Sequence, residues 1–308
     1  MLKYGIKAYN DKCRSIVMKY SQEWRRYVTR FGRWIDFDND YKTMDLNFME
    51  SVWWVFKQIF EKNLVYRKCK IMPYSPACTT VLSNFEAGSN YKVIDDPSIY
   101  IAMPLLEKPE VKIVAWTTTP WTLPSNLALA VNPNFEYQHI KTDKEQLIIS
   151  TPRLTETLKQ LKITKFEVVA KMKGSDLHGL EYKPLFDDFS NFREKGCFKV
   201  YTADFVTSED GTGIVHIAPA FGEDDYKVGI KYNFIEPDSP LCPIDESGYF
   251  TEKFPLVKKM HFKEADKVII ETLKKNGRLL GSGTIKHNYP CCYRTDTPLM
   301  YRVINHLI

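Results

Sequence analysis

The chain has 308 residues, enough for one large domain or two small ones with a sizeable buried core. Hydrophobic residues make up 44% and charged residues 26%, which is typical of a soluble globular protein. The formal net charge of +5 is too small, and the basic residues too dispersed, to establish nucleic-acid binding. No apolar run approaches the roughly 20 residues of a membrane span, so we expect no membrane partner.

The cysteines are odd in number and irregular in spacing, and no secretory signal precedes them. They are Cys13, Cys69, Cys78, Cys197, Cys242, Cys291 and Cys292. This usage favours free thiols in a reducing compartment, so we expect a cytoplasmic protein.

The first 75 residues are predicted to be helical. One helix is expected over residues 12–29. A second begins after Asp45, which occupies a capping position, and ends near Asn63. Its apolar residues recur with the spacing of a helix that buries one face. They are Leu46, Met49, Val52, Trp53, Phe56, Ile59 and Phe60.

From about Asp96 the pattern changes to short apolar runs separated by turn residues. The runs are 99–103, 111–116, 127–131, 147–149, 166–170, 198–205 and 214–218. They predict a strand-rich α+β globule with peripheral helices, in which the strands form a closed or nearly closed barrel. One further helix is expected over residues 263–276, with Gly277 ending it. The apolar strand at 301–308 stops without a closing element, which favours an internal segment of a longer protein.

Residues 116–126 (WTTTPWTLPSN) follow a predicted strand and are the first candidate for chemistry. Thr117, Thr118 and Thr119 offer hydroxyls in several directions, and Pro120 stiffens the turn behind them. Such a group can hold a polar, hydroxyl-bearing ligand. The alternative is that β-branched threonines extend the strand and satisfy the loop.

Residues 211–225 (GTGIVHIAPAFGEDD) are the second candidate. Gly211 and Gly213 permit close backbone approach before a strand that carries His216. Three acidic residues then open a short helix, where carboxylates usually serve the free amides of the first turn. The same arrangement suits a cleft that binds a cationic amine through Asp225. A histidine in a strand is also often a core residue.

Other chemistries have weak support. The chain has no Gly-x-Ser-x-Gly elbow, no P-loop and no dinucleotide fingerprint. Cys78, Cys291, Cys292 and His287 suggest zinc only faintly, because adjacent cysteines seldom bind one metal ion well. We therefore expect neither a metal nor a cofactor.

Together, the two candidate segments resemble the signature peptides of the editing domain of isoleucyl-tRNA synthetases. Editing domains of valyl and leucyl type typically have Arg where this chain has Thr119, so the isoleucyl type is preferred. The resemblance covers nearly the whole chain, with similar peptides at 32–44, 50–57, 73–78, 82–86, 174–186 and 287–294.

The resemblance implies a domain order, and the chain departs from the family pattern at a few positions. Residues 1–75 are expected to be a helical connective segment, 76–95 a stem into the insert, 96–285 the editing domain, and 286–308 a return stem. Phe221 stands where many bacterial relatives have a second His, and Ser75 replaces a frequent cysteine. The His-Ile-Gly-His and Lys-Met-Ser-Lys-Ser motifs for ATP are absent, so we expect no ligase activity from this chain.

The function implied is hydrolysis of valine wrongly attached to tRNA(Ile). Asp225 would bind the α-ammonium group of the ester, while Thr117, Thr118 and Thr119 would hold adenosine or ester oxygens. His216 would limit the depth of the side-chain pocket. Asn126 would shape the loop, and Trp116 would form a wall or belong to the core.

The expected partners are the acceptor end of tRNA(Ile) and the rest of the synthetase, with the fragment itself monomeric. Two alternatives stay open: a valyl-type editor that removes threonine, and a non-catalytic tRNA-binding module that retains the fold.

Overall fold

The computed structural model describes residues 4–238 and 240–307. The chain divides into two compact units, Met1–Tyr66 and Arg67–Ile308. The first unit contains α1 (Ile6–Arg30) and α2 (Leu46–Glu61). Asp45 is the N-cap residue of α2, as predicted, although its side chain makes no capping hydrogen bond. Within the described residues, no helix is both long and apolar enough to cross a membrane.

The expectation that α2 buries one face is wrong for this chain. Neither α1 nor α2 contains a buried residue, and Trp53 is 69% exposed. The helix forms because its residues have the required periodicity, but an apolar stripe is buried only when another element packs on it.

The second unit contains most of the regular structure. Its elements are β1 (Arg67–Ser75), β2 (Thr80–Val81), α3 (Asn84–Ala87), β3 (Tyr91–Pro104), β4 (Val111–Thr117), β5 (Ala128–Val131), β6 (Glu136–Lys141), β7 (Gln146–Ser150), α4 (Leu154–Gln160), β8 (Glu167–Lys173), α5 (Gly174–Leu177), β9 (Lys199–Thr202), β10 (Ile214–Ile217), α6 (Glu223–Lys231), α7 (Phe262–Lys275), β11 (Leu279–Pro290) and β12 (Met300–Leu307).

Strand β1 corrects the prediction that all of the first 75 residues are helical. Cys69 and Ile71 are buried while their neighbours Lys68 and Lys70 are exposed, which is the alternation of a strand. The strand pairs antiparallel with β12 from Arg67 opposite Leu307 to Tyr74 opposite Met300. The pairing is non-local, so the helical prediction for this stretch missed it.

Open sheets hold the unit together, and the strand-rich α+β prediction is confirmed. The largest sheet has six strands in the order β11-β3-β4-β7-β6-β8, with β4 and β7 parallel. A second sheet has the order β10-β5-β9, and a third has the order β12-β1-β2. Among the described strands no sheet closes on itself, so the expected closed or nearly closed barrel is corrected to a set of open sheets.

Two strands bring the candidate segments together. Thr117 ends β4 and lies opposite Ile99 of β3, while His216 in β10 lies opposite Leu129 of β5. Strand β10 packs against β4, so both segments reach the same region of the unit. The predicted helix over 263–276 is confirmed as α7, and Gly277 follows it with φ +66°.

Candidate active site

A cavity of about 330 Å³ lies where β4, β10 and the first turn of α6 meet. It is lined by six of the predicted site residues: Trp116, Thr117, Thr118, Thr119, His216 and Asp225. Phe205, Thr207, Asp210, Gly211, Thr212, Gly213, Ile214 and Val215 complete the lining. The two segments singled out in the sequence therefore form one site.

Asn126 is not among the residues that line this cavity. Its side chain is buried and satisfied within the protein: its Nδ2 donates to the Ala128 carbonyl at 2.9 Å, and its Oδ1 accepts from the Tyr182 hydroxyl at 2.7 Å. Asn126 thus fixes the turn that follows the threonines.

Most threonine hydroxyls are already engaged with one another. Thr117 Oγ1 accepts from the Thr119 amide at 3.1 Å and lies 3.3 Å from Thr119 Oγ1. Thr119 Oγ1 in turn lies 3.3 Å from Thr122 Oγ1. By contrast, the Thr118 hydroxyl, which is half-buried, forms no hydrogen bond to any described residue. Of the three, Thr118 keeps a free hydroxyl proton for a ligand.

Trp116 forms a wall between this cavity and a neighbouring one of about 260 Å³. Its Nε1 donates to Ser98 Oγ at 2.7 Å, which fixes the indole. Gly211 packs on the ring with φ +68°, and a Cβ there would lie 2.9 Å from Trp116 Cε3. Only glycine combines this backbone conformation with such close approach.

The carboxylate of Asp225 is held at the end of β10. Its Oδ2 accepts the Ala218 amide at 2.8 Å, and Gly222 leaves room for it, since a Cβ there would lie 2.7 Å from Asp225 Cγ. Burial raises the pKa of Asp225 to about 6. The other acidic residues of this turn, Glu223 and Asp224, are exposed and pair with Lys227.

His216 is a buried, neutral group on the cavity wall. Its side chain is 8% exposed, and its Nε2 lies 3.1 Å from Thr122 Oγ1. Burial lowers its pKa to about 4, so the imidazole is uncharged near neutral pH. A neutral ring offers shape at the cavity without repelling an ammonium group.

Asp266 supports the site although it belongs to neither of the two candidate segments. Its Oδ1 accepts the Trp121 amide at 2.8 Å, which ties α7 to the turn behind the threonines. Trp121 also packs edge-to-face on Phe221 and Phe262, at centroid distances of 5.1 and 4.9 Å. The sequence does contain an indication of this role, because Asp266 lies on the apolar stripe of α7, where a buried carboxylate needs a hydrogen-bond partner.

The cysteines form no recognisable metal site. Cys78 Sγ and Cys292 Sγ lie 3.9 Å apart, and all seven thiols are free. Within residues 4–238 and 240–307, no three His, Cys, Asp or Glu side chains are placed to hold a metal ion.

Comparison with known proteins identifies the family of this chain. The family of class I tRNA synthetases (I, L, M and V) matches residues 1–277, and the chain belongs to this family. It is 55% identical over 307 residues to the isoleucine–tRNA ligase of Tetrahymena thermophila, covering 99% of this chain and 28% of the relative. It is 52% identical over 305 residues to the cytoplasmic isoleucine–tRNA ligase of Mus musculus, covering 98% and 24%.

The resemblance to isoleucyl-tRNA synthetases is therefore confirmed, and the chain spans about a quarter of the length of these relatives. Among solved structures, the editing domain of the P. knowlesi cytosolic leucyl-tRNA synthetase is similar to 65% of this chain and 99% of its own. That similarity has a TM-score of 0.44 and 15% sequence identity.

Asp266→Asn should stabilise the second unit at alkaline pH. Burial raises the pKa of Asp266 to about 7, so the fold favours the protonated carboxyl group. The stability that this group contributes is fully present below its pKa in the unfolded chain and is lost as the pH rises through about 7. An amide oxygen still accepts the Trp121 N–H but carries no charge. The free energy of unfolding, measured with urea, should rise at pH 8 by roughly 1–3 kcal/mol and change little at pH 4.

Glu264→Gln, an exposed neighbour on the same helix, is the control and should change neither value. Equal stabilisation by Asp266→Asn at both pH values would contradict this interpretation of the buried carboxyl group.

Proposed function

We propose that this chain carries a tRNA-editing site and hydrolyses the ester bond of valine attached to tRNA(Ile). One observation carries the proposal: a single cavity combines the Asp225 carboxylate, the neutral His216 ring and the free Thr118 hydroxyl. In this proposal the carboxylate selects a substrate with a free amine, and the uncharged ring limits the size of the amino-acid side chain that fits. The hydroxyl donates a hydrogen bond to an oxygen of the ester or the ribose.

The need for such a site follows from the similarity of isoleucine and valine. One methylene is worth only about 1–3 kcal/mol in an apolar pocket, so a synthetase that selects isoleucine also accepts some valine. A second, smaller site can exclude isoleucine by overlap, which costs more than a missing contact.

In the proposed reaction, water attacks the ester carbonyl and the terminal ribose leaves with its hydroxyl. The α-ammonium group binds Asp225, whose second carboxylate oxygen is free of the Ala218 amide. The Thr118 hydroxyl donates to an ester or ribose oxygen. An activated ester needs only a positioned water and some stabilisation of the developing oxyanion, so no covalent nucleophile is required. A neighbouring ribose hydroxyl can assist the water.

The wider setting is also part of the proposal. The relatives are about four times as long as this chain, and neither α1 nor α2 contains a buried residue. We therefore place the rest of a synthetase against the apolar side chains of these helices. The partner is the acceptor end of tRNA(Ile), and the compartment is the cytoplasm, as the name of the mouse relative indicates. Ligase activity is not expected, because both ATP motifs are absent.

Deacylation of valyl-, threonyl- and isoleucyl-tRNA(Ile) by the purified chain tests the proposal. Valyl-tRNA should lose its amino acid well above the buffer rate while isoleucyl-tRNA stays intact. Preference for threonyl-tRNA would favour an editor of valyl type. Binding of tRNA without any hydrolysis would favour a non-catalytic module.

Asp225→Asn should slow valyl-tRNA deacylation by roughly tenfold or more, the cost of losing one charge-assisted contact. The wild-type rate, corrected for the uncatalysed reaction, should fall as the pH is lowered through about 6, where this carboxylate becomes protonated. The variant should lack that acid limb.

Glu223→Gln, an exposed change in the same helical turn, should keep the wild-type profile. If Asp225 acts only at the helix terminus, its variant should instead lose thermal stability while retaining activity per folded molecule.

Thr118→Val should lower valyl-tRNA deacylation roughly tenfold, because the isosteric side chain removes the free hydroxyl from the cavity. Thr118→Ser keeps that hydroxyl and should stay within about threefold of the wild type. Wild-type rates for the valine variant would assign Thr118 to the scaffold.

His216→Ala should create hydrolysis of correctly charged isoleucyl-tRNA(Ile), since truncation opens space for the extra methylene. Valyl-tRNA hydrolysis should persist at a reduced rate. The measurement is the ratio of isoleucyl to valyl deacylation on folded protein. A loss of both activities together, with an unchanged ratio, would mean that His216 only supports the core.

A further inference from the structure

Thr122 stands behind the cavity and is not one of its lining residues. It lies in the turn Pro120–Ser125 and is 6% exposed. Its hydroxyl oxygen has three neighbours: the Thr119 carbonyl at 2.8 Å, the Thr119 hydroxyl at 3.3 Å and His216 Nε2 at 3.1 Å. The hydroxyl thus connects the threonine segment to the histidine.

Counting protons assigns a direction to each of these contacts. A hydroxyl has one proton to donate and two lone pairs to accept with. The Thr119 carbonyl can only accept, so the Thr122 proton is directed to it. The Thr122 oxygen must then accept from its other neighbours, and His216 Nε2 must carry a proton.

The other ring nitrogen supports the same assignment. Nδ1 of His216 is buried and has no hydrogen-bond partner among the described residues. A proton on Nδ1 would leave an unsatisfied buried N–H and a bare Nε2 facing an oxygen that has no proton to offer. A ring with both nitrogens protonated is disfavoured further, because burial lowers the pKa of His216 to about 4.

We propose that Thr122 is a positioning residue, which holds His216 as the Nε2–H tautomer in one orientation and so makes the ring a fixed, neutral wall of the cavity. The effect on specificity rests on the proposed function, in which this wall sets the size limit. Nε2 is committed to Thr122 and Nδ1 is buried, so His216 does not serve as the base that activates water.

Nitrogen NMR tests the tautomer without reference to activity. In a chain carrying ¹⁵N-histidine, the two nitrogens of a neutral ring differ widely in shift according to which bears the proton. The chain has six histidines, and the signals of His216 are those lost in His216→Gln. We expect protonated Nε2, bare Nδ1 and no titration between pH 5 and 8. Thr122→Val should mix the tautomers or shift the titration toward neutral pH.

Deacylation provides the second readout. Thr122→Val should raise the ratio of isoleucyl to valyl hydrolysis about fivefold or more, because a released ring no longer closes the pocket. Thr122→Ser restores the hydroxyl and should restore both the ratio and the NMR pattern. Thr157→Val removes a buried α4 hydroxyl that has no partner among the described residues, and should alter neither readout.

The outcomes separate the two proposals. A wild-type His216 protonated on Nδ1, or a ring unaffected by Thr122→Val, overturns the positioning role, and the wild-type spectrum decides this even if the variant fails to fold. An altered ring with an unchanged hydrolysis ratio also overturns it. A chain that hydrolyses no aminoacyl-tRNA, yet shows the expected tautomer and its loss in Thr122→Val, refutes the proposed function and leaves the anchoring of the ring intact.

Discussion

The hydrogen bond from the Ala218 amide to the Asp225 carboxylate is the contact on which the site depends. It joins the end of β10 to the first turn of α6, and it uses one carboxylate oxygen while the other remains available. The residue that makes this possible is Gly222, since any side chain there would collide with the carboxylate. Burial raises the pKa of Asp225 to about 6, and it would limit the competition of water with the amine that we propose to bind here.

Around that contact, the polar groups of the site are arranged so that few remain for a ligand. Thr117 and Thr119 satisfy one another and the turn behind them, and Asp266 holds the same turn from α7. A rigid scaffold of this kind suits discrimination by size, since overlap excludes a larger substrate only where the wall cannot yield. The Thr118 hydroxyl and the carboxylate oxygen of Asp225 that does not bind the Ala218 amide are the groups left for a ligand.

The sequence predicted those parts that local patterns specify. Apolar runs located β3, β4 and β10, helical periodicity located α2 and α7, and two peptides located Thr118, His216 and Asp225. It missed β1, because pairing with β12 is non-local, and β11, whose sequence is polar and glycine-containing. Thr122 and Asp266 escaped notice because their roles depend on partners 94 and 145 residues away.

We propose that Asp225 recognises a free amine. The most direct test compares valyl-tRNA(Ile) with the same tRNA carrying the 3-methylbutanoyl ester, which keeps the isopropyl group and lacks only the amine. Each rate is divided by its uncatalysed rate. If Asp225 binds the amine, the wild-type chain should accelerate valyl hydrolysis at least about tenfold more than hydrolysis of the amine-free ester, and Asp225→Asn should abolish this preference. Equal acceleration of both esters by the wild-type chain would contradict it.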